Sequence, residues 1–279
     1  MTNRTMDSAE LEGIEIDLLL EAVFRRYGYD FRQYARASCE RRVRLFQQQS
    51  GCDSVAALIP RLLHDEALFQ GFVSRFSIPV TELFRDPAVY RVLREQVIPV
   101  LKTFPFLKIW HAGCATGEEA YSLAILLEEE GLYDRCTLFA TDFNDGALEQ
   151  ARLGIYPAAG VQEASRNYRS AGGTGRLADY YHAQYDHVVL DRRLGRHITF
   201  ANHNLVTDGV FAETHLILCR NVLIYFNRDL QNRVLRLFAE SLVYGGFLCL
   251  GTKETLSFSA VVDRFEVVDA TARIYRNRS

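Results

Sequence analysis

Between Leu107 and Thr252 the chain carries five short apolar runs that are almost unbroken: "LKIWHA" (107–112), "CTLFAT" (136–141), "HITFAN" (197–202), "HLILCR" (215–220) and "GGFLCLGT" (245–252). A strand with one face in water alternates apolar and polar residues. A strand covered on both faces does not, so these runs predict a sheet sandwiched between helices. Helical stretches separate them. "EEAYSLAILLEEEG" aligns Ala120, Leu123, Ala124 and Leu127 and stops at Gly131; "RDLQNRVLRLFAESL" aligns Leu230, Val234, Leu237 and Leu242, with Asn227 available as a cap. Two more runs, "RFEVVDA" (264–270) and "ARIYRN" (272–277), follow each other without a helix, so one runs antiparallel to its neighbours. The fold class this predicts is α/β: a doubly wound, Rossmann-like sheet of seven strands ending in an antiparallel hairpin.

Upstream, residues 11 to 75 read as helical. "IDLLLEAVFRRYG" puts Leu19, Val23 and Phe24 on one stripe and ends at Gly28, and the pattern resumes through Leu58, Leu62 and Leu63, with Pro60 at a break or kink. "FSIPVTELFRDP" then interrupts. The expected division is a helical domain over 1–76, a linker and connecting helix over 77–99, and the α/β domain over 100–279. Residues 155–196 exceed a normal strand-to-helix connection, and "YYHAQYDHVVL" within them predicts a small inserted β-subdomain, a pair of strands.

Bulk properties exclude several classes. Net charge is −3 with 48% hydrophobic and 24% charged residues, which gives no overall attraction to nucleic acid or anionic membrane. No apolar run reaches the roughly 18–20 residues of a bilayer span. The N-terminus lacks the order of a secretion signal, and six scattered cysteines form no C-x-x-C pair, so a cytoplasmic setting is expected. Seven histidines without ligand spacing predict no metal. One region is strongly basic. Arg25, Arg26, Arg32, Arg36, Arg41, Arg42 and Arg44 are opposed only by Asp30 and Glu40, a local excess of +5. Such a run is either a solvated helix face or a docking surface for an acidic partner.

The stretch "IWHAGCATGEEAYS" has the strand–glycine loop–helix order used to hold nucleotide-type cofactors. It is not a phosphate loop, because Glu118 follows Gly117 and no lysine comes after. G-x-G-x-x-G is absent, and a pyrophosphate would meet Glu118 and Glu119 at the helix start. A guest with cationic groups and a ribose diol but no phosphate suits these acids: S-adenosyl-L-methionine. Asp142, 25 residues after Gly117, stands at the end of the second strand, where this topology offers a carboxylate to a ribose. The bland alternatives are dipole compensation for Glu118 and a helix cap for Asp142.

"TELFRDP", "WHAGCATGEEAYSLA", "ATDFN", "HNL" and "CRNVLIYF", in this order, resemble the CheR family of bacterial chemotaxis-receptor glutamate O-methyltransferases over nearly the whole chain. The resemblance implies S-adenosyl-L-methionine as cofactor, S-adenosyl-L-homocysteine as product, and methyl esters formed on receptor glutamates. By position it implies cofactor contacts from Thr81, Arg85, Ala112, Gly113 and Glu118. Asp142 would hold the ribose, Asn204 and Leu205 would flank the adenine, and Arg220 and Asn221 would complete the set. Tyr225 would stand closest to the methyl, with Arg85 a second catalytic candidate. Arg36, Arg41, Arg42 and Arg44 would dock the partner, the cytoplasmic helical domain of a chemoreceptor or a related signalling protein. No nucleic acid, no membrane insertion and a monomer are expected. The bland alternatives are a surface ion pair for Arg85, a turn residue for Asn204 and a core aromatic for Tyr225. Two departures stand out. Pro79 occupies a place where the family commonly has a cofactor-touching asparagine, and "YYHAQYDHVVL" lacks the glycine-rich turn of members that grip a receptor's C-terminal pentapeptide. The rival readings are a methyltransferase of another substrate and a non-catalytic adaptor; against a base methylator, the fourth strand ends in "CRNV".

Overall fold

Asp7 starts the first helix by accepting the Glu10 N–H at 2.7 Å, and α1 (Ser8–Tyr27) stops at Gly28, whose left-handed backbone (φ 79°) turns its N–H back to the Phe24 carbonyl. A computed structural model of the chain describes residues 7–77 and 81–279, so the departure at Pro79 lies outside the described residues. α2 (Arg36–Gln49), α3 (Leu58–His64) and α4 (Glu66–Phe76) follow. Pro60 sits in the first turn of α3, where its missing N–H has no helical partner to lose. Their core is aromatic: Phe31 stacks on Phe76 with centroids 4.3 Å apart, and Phe72 lies 4.8 Å from Phe76. A distant segment, Tyr225–Gln231, belongs to this same unit. The Ala35 N–H donates to the Tyr225 carbonyl at 2.8 Å, and the Asn227 N–H to the Gln33 carbonyl at 2.9 Å. The rings of Phe226 and Tyr34 meet edge-on at 5.1 Å.

The second unit takes the remainder, including residues 81–99 of the stretch expected to be a linker and connecting helix. α5 (Pro87–Val92) passes through a widened turn at Leu93–Val97 into α6 (Ile98–Leu101). Pro99 has no N–H, and its ring would collide with the carbonyl four residues back; widening the turn relieves both. Val89, Tyr90, Leu93, Val97 and Ile98 are buried in this unit's core.

Then come β1 (Leu107–Ala112), α7 (Glu118–Glu129), β2 (Cys136–Asp142), α8 (Asp145–Leu153), β3 (Ile155–Pro157), α9 (Val161–Ser170), β4 (Tyr181–Gln184), β5 (His187–Leu190), β6 (Ile198–Asn202), β7 (Thr214–Cys219), α10 (Arg228–Ser241), β8 (Leu242–Leu250), β9 (Phe265–Asp269) and β10 (Ile274–Asn277). The main sheet has seven strands in the order β6-β2-β1-β7-β8-β10-β9, with β10 antiparallel to both neighbours, as the apolar runs predict. The insert is larger than the expected pair. β3, only three residues long, joins β5 and β4 in a three-stranded antiparallel sheet, and α9 accompanies it. The chain leaves β1 for β2 on one side and returns to β7 on the other. The loops after β1 and β7 therefore diverge at the carboxyl ends of these strands, where open α/β sheets bind ligands.

Candidate active site

The loop after β1 alternates left-handed residues: Gly113 (φ 76°), Ala115 (φ 48°) and Gly117 (φ 93°). A methyl group on Gly113 would lie 2.5 Å from Val222 Cγ2, and one on Gly117 would lie 2.8 Å from the Ala151 Cβ. The glycines are thus required by the close approach of the loop after β7 and of α8. The Gly113 and Cys114 N–H groups donate to the Thr141 carbonyl at 2.8 and 2.9 Å. Asp142 completes the tie. One of its carboxylate oxygens takes the Ala115 N–H at 2.9 Å, and the other takes the Asn144 N–H at 3.0 Å. Asn144, not Asp142, caps α8. Burial raises the Asp142 pKa against those two N–H bonds.

The two consecutive glutamates part company. Glu118 is half-buried, accepts the Thr116 hydroxyl at 2.6 Å and joins no ion pair among the described residues. Burial pushes its carboxyl up to about 7. Glu119 turns the other way into the protein, pairs with Arg220 and has His111 Nε2 at 3.3 Å. Burial alone would raise its pKa, but Arg220 and His111 prevail and hold it down at about 2. The acid pair expected to edge the loop is therefore a single acid, Glu118. Arg220 also departs from expectation. Its side chain is wholly buried, and its guanidinium donates to Glu119, to Asp86 at 2.6 Å and to the Arg85 carbonyl at 3.2 Å. It clamps the 84–86 segment instead of reaching outward. Phe84 (φ 56°) and Asp86 (φ 55°) are both left-handed, on either side of Arg85, and the Phe84 N–H donates to Ser122 Oγ at 2.8 Å. Backbone in this region is costly for residues other than glycine and persists where the surroundings fix it.

Other expected residues of the second unit are Thr81, Arg85 and Asn221, all half-buried, and Ala112, the buried last residue of β1. The Asn204 side-chain oxygen accepts the Val206 N–H at 3.0 Å, which makes it a turn former, beside buried Leu205. The His203 N–H donates to the Asp142 carbonyl at 3.1 Å, which brings this turn to the end of β2. Tyr225 lies in the first unit, with the Arg42 guanidinium 4.7 Å above its ring. Arg42 is buried and donates to the Phe76 carbonyl, so it leaves the exposed docking face on which it was expected. Arg36 pairs with Asp17 and Glu40, and Arg44 pairs with Glu12 and Glu40. Acids of α1 thus cancel much of the basic excess. Arg41 is exposed, with no ion pair among the described residues. Sequence reasoning passed over His111, which faces Glu119, and Asp86, Ser122 and Glu254, which each have a partner more than 30 residues away in the chain.

Among the described residues no three His, Cys, Asp or Glu side chains are grouped to hold a metal, and no helix is long and apolar enough to cross a membrane. The site fits S-adenosylmethionine. Glu118 is a carboxylate held out of water without a cation, and Asp142 sits behind the loop with one N–H on each oxygen. A guest bearing an ammonium and a ribose diol would supply the missing donors. The model of the CheR methyltransferase SAM-binding domain matches residues 79–274, and that of the family's all-alpha domain matches 14–77. The Pseudomonas putida protein Cher3, classed by its name as a methyltransferase, is 49% identical over 97% of this chain and 99% of its own length. The chemotaxis protein methyltransferase of Listeria innocua is 31% identical over 84% of this chain and 87% of its own. That of Vibrio parahaemolyticus is 32% identical over 66% and 67%. The chain belongs to the CheR methyltransferase family and is an S-adenosylmethionine-dependent methyltransferase.

Proposed function

We propose that the protein transfers a methyl group from S-adenosylmethionine to glutamate side chains in the cytoplasmic helical domain of a chemoreceptor or receptor-like signalling protein. A glutamate oxygen forms the new bond to carbon as the sulfonium–methyl bond breaks, giving a methyl ester and S-adenosylhomocysteine. The observation that carries this reading is Glu118, half-buried without a cation on a loop locked to Asp142. The relatives named chemotaxis protein methyltransferases support the choice of acceptor.

When bound, S-adenosylmethionine supplies an electrophilic methyl group. A glutamate acceptor with pKa about 4.3 is already ionised at neutral pH, so the protein needs no strong general base. Its task is orientation. Glu118 and Asp142 hold the cofactor's donors, and Ala112, Gly113, Asn204, Leu205 and Asn221 shape the crevice. Arg85, fixed between two left-handed residues, steadies one acceptor oxygen while the other attacks. Tyr225 is the second catalytic side chain, and Arg41 leads the docking of acidic receptor helices, with Arg36 and Arg44. The two-residue turn between β4 and β5, Tyr185–Asp186, contains no glycine, which supports action independent of a receptor pentapeptide. The protein works in the cytoplasm as a monomer. Incubation with methyl-tritiated cofactor and a receptor signalling domain is expected to give label released as volatile methanol by base. Base-stable label, or none, would refute an ester product.

A further inference from the structure

Glu254 lies on the loop after β8, outside every sequence motif that points to the site, and is buried. It forms no ion pair among the described residues. Its partners are backbone N–H groups. Oε2 accepts from Gly251 at 2.6 Å and Asn221 at 3.1 Å, and Oε1 accepts from Ile224 at 3.3 Å. The Glu254 N–H in turn donates to the Gly251 carbonyl at 2.8 Å, closing a tight turn around the carboxylate. Asn221 is held at φ 62°, a left-handed conformation that needs support in a residue with a side chain. Space here is minimal. A methyl group on Gly251 would lie 2.7 Å from Glu254 Oε2 and 2.8 Å from the Asn221 nitrogen.

We propose that Glu254 is a positioning residue: its carboxylate acts as a built-in anion that shapes the turn after β7, and so sets Asn221 at the mouth of the cofactor crevice. Hydrogen bonds from N–H groups to a buried carboxylate are charge-assisted and stronger than neutral ones. A turn organised around one charge is therefore fixed more firmly than its few backbone contacts would allow. The inference rests on the reading of Asn221 as part of the cofactor crevice.

The test compares Glu254→Gln with Gly251→Ala. Glutamine keeps the shape but turns an amide NH2 towards N–H donors; the added methyl pushes on the same two atoms from the other side. In cofactor-free protein, both are expected to speed hydrogen exchange at the Asn221 and Ile224 amides by at least about tenfold, the loss of one such bond. Protection of the β1 amides should be kept. S-adenosylhomocysteine affinity should fall about tenfold in each, and the double variant should be little worse than either single one. Glu254→Asp, which keeps the charge on a shorter arm, should recover part of the affinity. Unchanged exchange and affinity in both single variants would overturn the proposal, and so would equal loss of protection in β1, which would mark a general loss of stability. None of these measurements needs a methyl acceptor. Failure of glutamate esterification would leave them intact, and unchanged exchange and affinity in variants that still form base-labile methyl esters would sink the positioning role alone.

Discussion

Arg36, Arg44 and Arg220 each hold two carboxylates, and the settings of the first two and the last could hardly differ more. Arg36 joins Asp17 to Glu40 and Arg44 joins Glu12 to Glu40 on the N-terminal helices, with 48% and 43% of their side chains exposed. Arg220 joins Glu119 to Asp86 at the end of β7, with 0% exposed. In water the attraction is screened and the ordering of long side chains opposes it. Inside the protein the same arrangement must be complete, because any member left alone is a buried charge without a partner. The arginine-rich helices can therefore exchange their internal partners for acids of another molecule at small cost. The clamp at the end of β7 cannot.

The largest expected effect comes from breaking the clamp. Glu119→Ala should destabilise the second unit by roughly 3–5 kcal/mol, because Arg220 loses its buried partner. Thermal unfolding measures this, and retention of wild-type stability would erase the contrast between the two settings. Asp142→Ala should come next. It strands the Ala115 and Asn144 N–H groups, at a cost of roughly 1–3 kcal/mol each, and should weaken S-adenosylhomocysteine binding at least tenfold, roughly the loss of one hydrogen bond. Unchanged affinity by calorimetry would remove Asp142 from the ribose. Smallest of all, Arg36→Ala should change stability by less than about 1 kcal/mol, as exposed pairs do. Arg41→Ala should leave stability alone while raising the KM for a receptor domain, with kcat for methyl transfer retained. An unchanged KM would separate these helices from docking.

Much of the frame was legible because buried strands announce themselves as unbroken apolar runs and helices as stripes. The glycine loop and Asp142 were legible for the same reason, since they follow from where a strand ends. Glu118 and Glu119 were not separable. Adjacent helical residues differ by about 100° in direction, but which one faces inward was decided by Arg220, 101 residues further on. The +5 excess concealed part of its own compensation, because Asp17 and Glu12, which join Glu40 in answering Arg36 and Arg44, belong to α1, outside the basic stretch. Glu254 left no trace, since a carboxylate that collects backbone N–H groups requires no particular residue type at its partners. The same holds for Tyr225–Gln231, whose backbone bonds to Gln33 and Ala35 carry no sequence signature.

At the centre of the site one carboxylate is open to a positively charged guest while its neighbour is closed. Glu118 of the free protein keeps its proton up to about pH 7, whereas the guest favours the ionised form. Binding should therefore release a proton near neutrality and strengthen as pH rises to that point. Titration calorimetry of S-adenosylmethionine at about pH 6 and about pH 8 should show affinity roughly tenfold weaker at the lower value, with both the difference and the proton release lost in Glu118→Gln. Equal affinity at the two pH values with no proton exchange, or the same pH response in Glu118→Gln, would contradict it.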